Sequence, residues 1–470
     1  IVMELFKLSA VKLAEGIARN EFSAVEVMQD VINRARFVQS KCNAFVTLDE
    51  EGARAGAQAA DRVNKKERGP LHGVPFTVKD LLDTRNLRTT YGSRAFAEHI
   101  PTKDAAAVAR IRASGAILIG KTTTSEFASQ ILTDSLLCGV TFNPWNSLYS
   151  PGGSSGGTGV AVSTGASPIG ISTDGGGSAR IPAAACGILG LKPTLGSVPH
   201  ETWPYLFGTN SSVSINTRET IDLVKVFNNL IGPHVLDPWT RHKRASLLEP
   251  DFSKLRGYKI LYLPNLGGNQ ADRVVSNRIK SLLKQFSALG ASTETEGEDL
   301  TKFDPSIITR LITCNLAARF RELSKSQQEK LNPKLHSLLD SERFRPDGVL
   351  LQAESMARSR LYNRLEVLFQ NYDLIVSATV TSKPPLAKPS DNPTVTINGE
   401  IEDLEKWWTH LGLVNLTGHP AISIPCGEFE DGLPIGLHVI GKWNGEQDLI
   451  NFAAGIEELY NWNDKWPTMD

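Results

Sequence analysis

Between Gly152 and Arg180 the chain runs through two glycine-rich stretches joined by a segment of small apolar residues. The first reads Gly152-Gly153-Ser154-Ser155-Gly156-Gly157-Thr158-Gly159, and the second Ser172-Thr173-Asp174-Gly175-Gly176-Gly177-Ser178-Ala179-Arg180. Flexible linkers have this kind of composition, but linkers do not sit between core elements. Here Pro151 precedes the first stretch. Val160, Ala161, Val162 and Ala166 predict a small-residue apolar helix after it, and Pro168-Ile-Gly-Ile predicts a strand running into the second stretch. The segment therefore demands a layered fold in which tight, side-chain-free turns connect buried strands to buried helices.

The rest of the chain agrees. Val74–Val78, Ala116–Ile119, Ser167–Ser172, Tyr258–Leu263, Leu374–Ala378, Ala421–Pro425 and Ile435–Ile440 read as short buried strands, most bounded by Gly, Pro or Asp. Helical patterns lie near 104–114, 156–165, 217–231, 272–290, 304–325 and 346–370. The N-terminal part reads as helices. Ser23 and Glu26 form a capping box, Val25, Met28, Val31, Ile32 and Ala35 make an apolar stripe, and residues 50–66 form a further helix. Such alternation predicts an α/β fold, a large sheet covered by helices on both faces. The proline-rich 382–393 stretch reads as a long loop, because strand signals resume after it.

Of the 470 residues, 41% are hydrophobic, which suits a globular core, and the formal net charge is -1. That balance argues against a general nucleic-acid or anionic-membrane binder. The N-terminus lacks the pattern of a secretory signal, and no apolar run is long enough to span a membrane. Five scattered cysteines predict reduced thiols and a cytoplasmic protein, and neither they nor the nine histidines have metal-site spacing. Gly115-Ala-Ile-Leu-Ile-Gly120-Lys121-Thr122 matches a phosphate-loop pattern in form. Its middle is a strand pattern, though, where the mechanism needs a loop of free amides, so Lys121 reads as a strand-end lysine.

Ser178 falls on a tight glycine-rich turn at the end of an apolar strand. A serine hydroxyl needs a base to become a nucleophile at neutral pH. No histidine is near in sequence; Lys79, at the end of Val74-Pro-Phe-Thr-Val-Lys79, is the candidate, with the second serine hydroxyl as proton relay. An exposed lysine, titrating near about 10.4, could not serve. Burial in an apolar pocket disfavours the ammonium and lowers that value. The amides of Gly175, Gly176, Gly177 and Ser178 would form an oxyanion hole.

These residues resemble the amidase signature family. The matching motifs are Gly73-Val-Pro-Phe-Thr-Val-Lys79-Asp80, Ile119-Gly-Lys-Thr122, Asn143-Pro-Trp145, and Pro151 to Thr194, ending Cys186-Gly-Ile-Leu-Gly-Leu-Lys-Pro-Thr194. The match returns at Asn415-Leu-Thr-Gly-His-Pro-Ala-Ile-Ser-Ile-Pro425 and Gly432-Leu-Pro-Ile-Gly436. The resemblance implies one amidase domain over 1–470 with a large mixed sheet, a core at 70–195, and a variable, substrate-shaping region at about 197–410. It implies Ser178 as acyl-enzyme nucleophile, Lys79 as base, and Ser154 as bridging serine after a cis peptide at Gly153. Ser155 and Thr173 would support the hydroxyl network, and Asp174 and Arg180 would brace the nucleophile loop as an ion pair. The Glu126–Gln130 segment, Ser129 included, would lie beside the acyl site. Many members carry a bulkier Ile or Thr where this chain has Gly175; glycine keeps the amide and loosens the loop. No metal or cofactor is implied.

The resemblance leaves the substrate open. Trp203-Pro-Tyr-Leu-Phe207 and Trp407-Trp408 could line an apolar pocket or be core packing. An apolar pocket would suit an aryl amide, anilide or aryl carbamate, turned over by a monomer or homodimer with no nucleic-acid or membrane partner. The competing reading is the related amidotransferase subunit, which hydrolyses glutamine and works with a partner on charged tRNA. Nucleotide binding at Gly115–Thr122 is a third.

Overall fold

The structure, a computed structural model, describes residues 4–202, 205–242, 244–297, 303–340, 348–388 and 392–469. Eleven strands of the described residues form one sheet. They are β1 (Phe45–Leu48), β2 (Pro75–Lys79), β3 (Ile117–Thr122), β4 (Ile169–Asp174), β5 (Leu189–Lys192), β6 (Ser212–Thr217), β7 (Lys259–Tyr262), β8 (Ser292–Thr295), β9 (Leu374–Ala378), β10 (Ala421–Glu428) and β11 (Pro434–Gly441). In space the order is β1-β3-β2-β4-β6-β5-β10-β11-β9-β7-β8. Strands β3, β2 and β4 run parallel. Strand β6 is antiparallel to both its neighbours, β10 and β11 form a hairpin, and β9, β7 and β8 are parallel again. The sheet is thus mixed, and β2, β3, β4, β5, β9 and β11 are buried along their whole length, as strands covered on both faces must be.

All seven strands expected from apolar runs are present, with ends shifted by a few residues. Four sheet strands lacked that signal. Strand β6 is the instructive one: Ser212-Val-Ser-Ile-Asn-Thr is two-thirds polar, yet it is a central strand. Its Asn216 is buried because it is satisfied there: it accepts from Ser172 Oγ at 2.7 Å, and its amide reaches the Ala179 and Leu189 carbonyls at 3.3 and 3.2 Å. Each expected helix is found, including the capping box at Ser23–Glu26. The helical stripe needs one correction. Val25 is 39% exposed, and the buried face is Ala24, Met28, Val31, Ile32 and Ala35 with Val27 and Val38, because Val25 sits about a quarter-turn away from the Ala24–Met28 line.

Four helices frame the site: α1 (Gly156–Ser163), α2 (Arg180–Cys186), α3 (Ser306–Arg321) and α4 (Gly412–Thr417). Helix α1 is buried at every position, so the first glycine-rich stretch opens a core helix. A Cβ on Gly157 would stand 2.3 Å from Thr123 Oγ1, which is why the chain has no side chain there. The described part of the 382–393 loop carries no strand, and pairing resumes at Thr394–Ile397 against Glu400–Asp403.

The phosphate-loop pattern is absorbed by β3. Lys121 Nζ is fully buried and donates to the Leu82 carbonyl and to the Thr84 and Thr89 hydroxyls at 2.7, 3.1 and 2.7 Å. Its amides belong to the sheet ladder, so a nucleotide phosphate has no cradle there. All five cysteines are unpaired. No helix among the described residues is long and apolar enough to cross a membrane.

Candidate active site

The site lies at the C-terminal ends of β2 and β4, where parallel strands leave their last side chains facing an open crevice. Lys79 is the last residue of β2. Ser154 sits two residues before α1, and Ser178 two residues before α2. The fold thus converts a 24-residue separation between the serines into contact: Ser154 Oγ lies 3.0 Å from Ser178 Oγ. Lys79 Nζ lies 2.8 Å from Ser154 Oγ and 2.9 Å from Thr173 Oγ1. The Gly153–Ser154 peptide is cis. Ser155 Oγ donates to the Thr173 carbonyl at 3.2 Å and its amide donates to the Ser178 carbonyl at 3.2 Å, tying the two glycine-rich stretches together.

Lys79 is wholly buried, and desolvation brings its pKa down to about 7 against the opposing pull of the Asp174 carboxylate. An amine and an ammonium are therefore both accessible near neutral pH.

Asp174, at the end of β4, and Arg180, at the start of α2, are both fully buried and form an ion pair at 2.9 Å. Each has further partners. The carboxylate accepts from the Gly177 amide at 2.7 Å, the Ala179 amide at 3.2 Å and Asn415 Nδ2 at 3.0 Å. The guanidinium donates to Asn415 Oδ1 at 2.7 Å and the Leu411 carbonyl at 3.2 Å, both on or beside α4. Burial works against the Asp174 carboxylate, but Arg180 and these donors hold its pKa well below the usual range. The pair clamps the turn that carries Ser178.

The amide of Gly177 points at Asp174. This corrects the expected set of oxyanion donors at one position: the Gly177 amide serves the turn. Gly177 has a φ of 125°, and a Cβ there would stand 2.9 Å from Leu411, so glycine is required. Gly175 is different. A Cβ there would meet Asn210 and Ser211 only at 3.9 Å, so the missing side chain leaves space beside Ser178.

A cavity of about 280 Å³ is lined by Ser178, Thr173, Gly175 and Gly176. Phe127, Ile131, Leu132, Ile312, Leu316 and Trp408 form its apolar wall. Ala128, Ser129 and Gln130 line it too, which places the Glu126–Gln130 segment beside the site. Of the paired tryptophans, Trp408 faces the cavity, whereas Trp407 is core, its indole N–H donating to the Ser382 carbonyl at 3.1 Å. Tyr205 and Phe207 are 51% and 68% exposed and line neither the cavity nor the core; Trp203 and Pro204 lie outside the described residues.

Among the cavity residues that had no signal in the sequence are His200 and Arg319. His200 comes 22 residues after Ser178, yet its Nε2 lies 3.0 Å from Ser211 Oγ at the cavity edge. Burial and the charge of Lys79 both lower its pKa, so its imidazole is neutral near pH 7. Nothing in the local pattern of either residue marks it, because each reaches the cavity only through long-range packing.

The family described as Amidase matches residues 26–450. The chain belongs to the amidase family. It is 31% identical to an acylamidase of Rhodococcus erythropolis over 98% of this chain and 97% of that protein. It is 30% identical to a subunit of the glutamyl-tRNA(Gln) amidotransferase of Halalkalibacterium halodurans, over 99% and 100% of the two chains. Among solved structures, a bacterial aryl acylamidase of the amidase signature family superposes with a TM-score of 0.88 at 26% identity, covering 97% of both chains. The protein is an amidohydrolase, acting on carbon–nitrogen bonds other than peptide bonds.

Proposed function

We propose that the protein cleaves small-molecule amides through an acyl-enzyme on Ser178. The observation that carries this reading is the unbroken contact chain Lys79–Ser154–Ser178, which ends on a lysine held near neutrality. In its amine form, Lys79 donates one N–H to Thr173 Oγ1, which leaves its lone pair for the Ser154 proton. Ser154 in turn accepts the Ser178 proton as Ser178 Oγ attacks the carbonyl carbon. The carbonyl oxygen gains the negative charge and meets the amides of Gly175, Gly176 and Ser178. The proton then returns from Lys79 through Ser154 to the leaving nitrogen, the C–N bond breaks, and the amine departs. Water attacks the ester along the same relay and releases the acid and Ser178.

The substrate we propose is an aryl amide, anilide or aryl carbamate. The apolar cavity wall, to which Phe127 and Trp408 both contribute, supports a flat apolar group, and a carbamate presents the same carbonyl to the nucleophile. The name of the Rhodococcus relative and the aryl acylamidase likeness support this reading. The amidotransferase relatives favour the second reading, hydrolysis of glutamine with a partner acting on charged tRNA.

Amine release from acetanilide, an aryl carbamate, an aliphatic amide and glutamine, each with Ser178→Ala as control, tests the proposal. Turnover of the aryl compounds that vanishes in the variant is the expected result. Turnover of glutamine alone would replace it with the amidotransferase reading, and undiminished turnover by Ser178→Ala would end the mechanism.

A further inference from the structure

Arg319, near the end of α3, lines the same cavity as Ser178. Its guanidinium lies 5.1 Å from the Tyr91 ring centre and 4.8 Å from that of Phe127. Those two rings are stacked with an interplanar angle of 17°, and Phe127 packs on Phe320 in turn. Tyr91 is held from its other end, its hydroxyl donating to Asp83 Oδ1 at 2.7 Å. The two rings fix where the guanidinium sits, and its N–H donors stay available to a partner in the cavity.

Among the described residues the Arg319 side chain forms no ion pair and no hydrogen bond. The other large cations around the site are satisfied by contrast, Arg180 by Asp174 and Asn415, and Arg358 by the Leu416 and Gly208 carbonyls and Thr209. Burial lowers the pKa of Arg319, and Asp83 and Glu322 act on it only from a distance. A cation held still, stripped of part of its water and left without an ion-pair partner in the cavity is an anchor for an anion. A planar fork of N–H donors fits a carboxylate best.

We propose that Arg319 binds a carboxylate of the substrate, so that the preferred substrates are amides bearing an acidic group on the aryl or acyl side. This rests on the amide-hydrolysis reading above and narrows its substrate class. It also gives the aromatic cluster a second purpose: Tyr91 and Phe127 hold the arginine while presenting apolar surface to the rest of the ligand.

The test compares kcat/KM of the wild-type protein for three anilides: acetanilide, 4-acetamidobenzoate with its carboxylate on the amine side, and succinanilate with its carboxylate on the acyl side. One charged anilide should exceed acetanilide by about tenfold or more, through KM, as expected of a charge-assisted pair. In Arg319→Gln that ratio should fall by a similar factor, and Arg319→Lys should keep part of it. If neither charged anilide exceeds acetanilide in the wild-type protein, the proposal is overturned without recourse to a variant. An unchanged ratio in a folded Arg319→Gln overturns it too. Acetanilide turnover lost in Ser178→Ala keeps the two readings separate: its presence upholds the hydrolase whatever the carboxylate results, and its absence together with that of both charged anilides counts against the hydrolase.

Discussion

Replacing Lys79 by methionine should destroy activity while making the protein more stable, by an amount that depends on pH. Burial takes the lysine from its ordinary 10.5 down to about 7. The unfolded chain binds this proton up to about pH 10.5 and the folded chain only below about 7. Between those values the unfolded state holds more protons, so the wild-type protein gains stability as pH rises, and below about 7 the full burden is present. At about 1.36 kcal/mol per pH unit, that burden is roughly 5 kcal/mol. Methionine has a similar length and no charge, and it removes the burden. It also removes contacts to the Ser154 and Thr173 hydroxyls, each costing about 1 kcal/mol. Lys79→Met should therefore be more stable than wild type by roughly 2–3 kcal/mol at pH 6.5. The advantage should shrink by about 3 kcal/mol by pH 9.5, where the wild-type burden has mostly gone. Urea unfolding followed by tryptophan fluorescence at the two pH values measures this. The same protonation sets the rate: wild-type kcat/KM should rise with pH through about 7 and level off above it. A stability difference that does not vary with pH, or a flat rate profile from about pH 6 to 9, would refute a neutral buried lysine.

Three further outcomes follow from the same geometry. Ser154→Ala should stay folded and lose about 10²–10⁴ in kcat, because the relay between Lys79 and Ser178 is cut; single-turnover amine release measures it. Asp174→Ala leaves Arg180 charged and fully buried without its carboxylate, so it should lose about 3–5 kcal/mol in urea unfolding, whereas an exposed pair would lose under about 1. Gly175→Val should fold with little loss, since a Cβ there touches nothing closer than 3.9 Å, while Gly177→Val should be destabilised by its φ of 125° and the 2.9 Å approach to Leu411; thermal unfolding of the pair distinguishes them.

The parts of the site that were legible in the sequence are those set by local chemistry. Lys79 closes an apolar run, Ser154 precedes a small-residue helix by two residues, and Ser178 follows an apolar strand, so local pattern places them at element ends. The seven apolar strands were legible for the same reason. Strand β6 was not, because its polar residues are satisfied by Ser172 and by distant carbonyls, and no local signal separates a satisfied buried asparagine from a solvated one. The Gly177 amide shows the same limit at the scale of one bond: composition predicts a free N–H, and only the fold brings Asp174 to take it. The cavity walls were the least legible. Trp407 and Trp408 are neighbours in sequence and chemically identical, yet one is core and the other faces the cavity. Arg319 carries no motif at all, because its setting beside Tyr91 and Phe127 exists only once α3 has docked.

The proposed chemistry requires the acyl group to pass through Ser178. The most direct measurement is peptide mass spectrometry of the protein acid-quenched during steady-state turnover of acetanilide. An acetyl group on the peptide carrying Ser178, absent from Ser178→Ala, is the predicted result. Amine release with the acetyl group on another residue, or undiminished release by Ser178→Ala, would contradict the account.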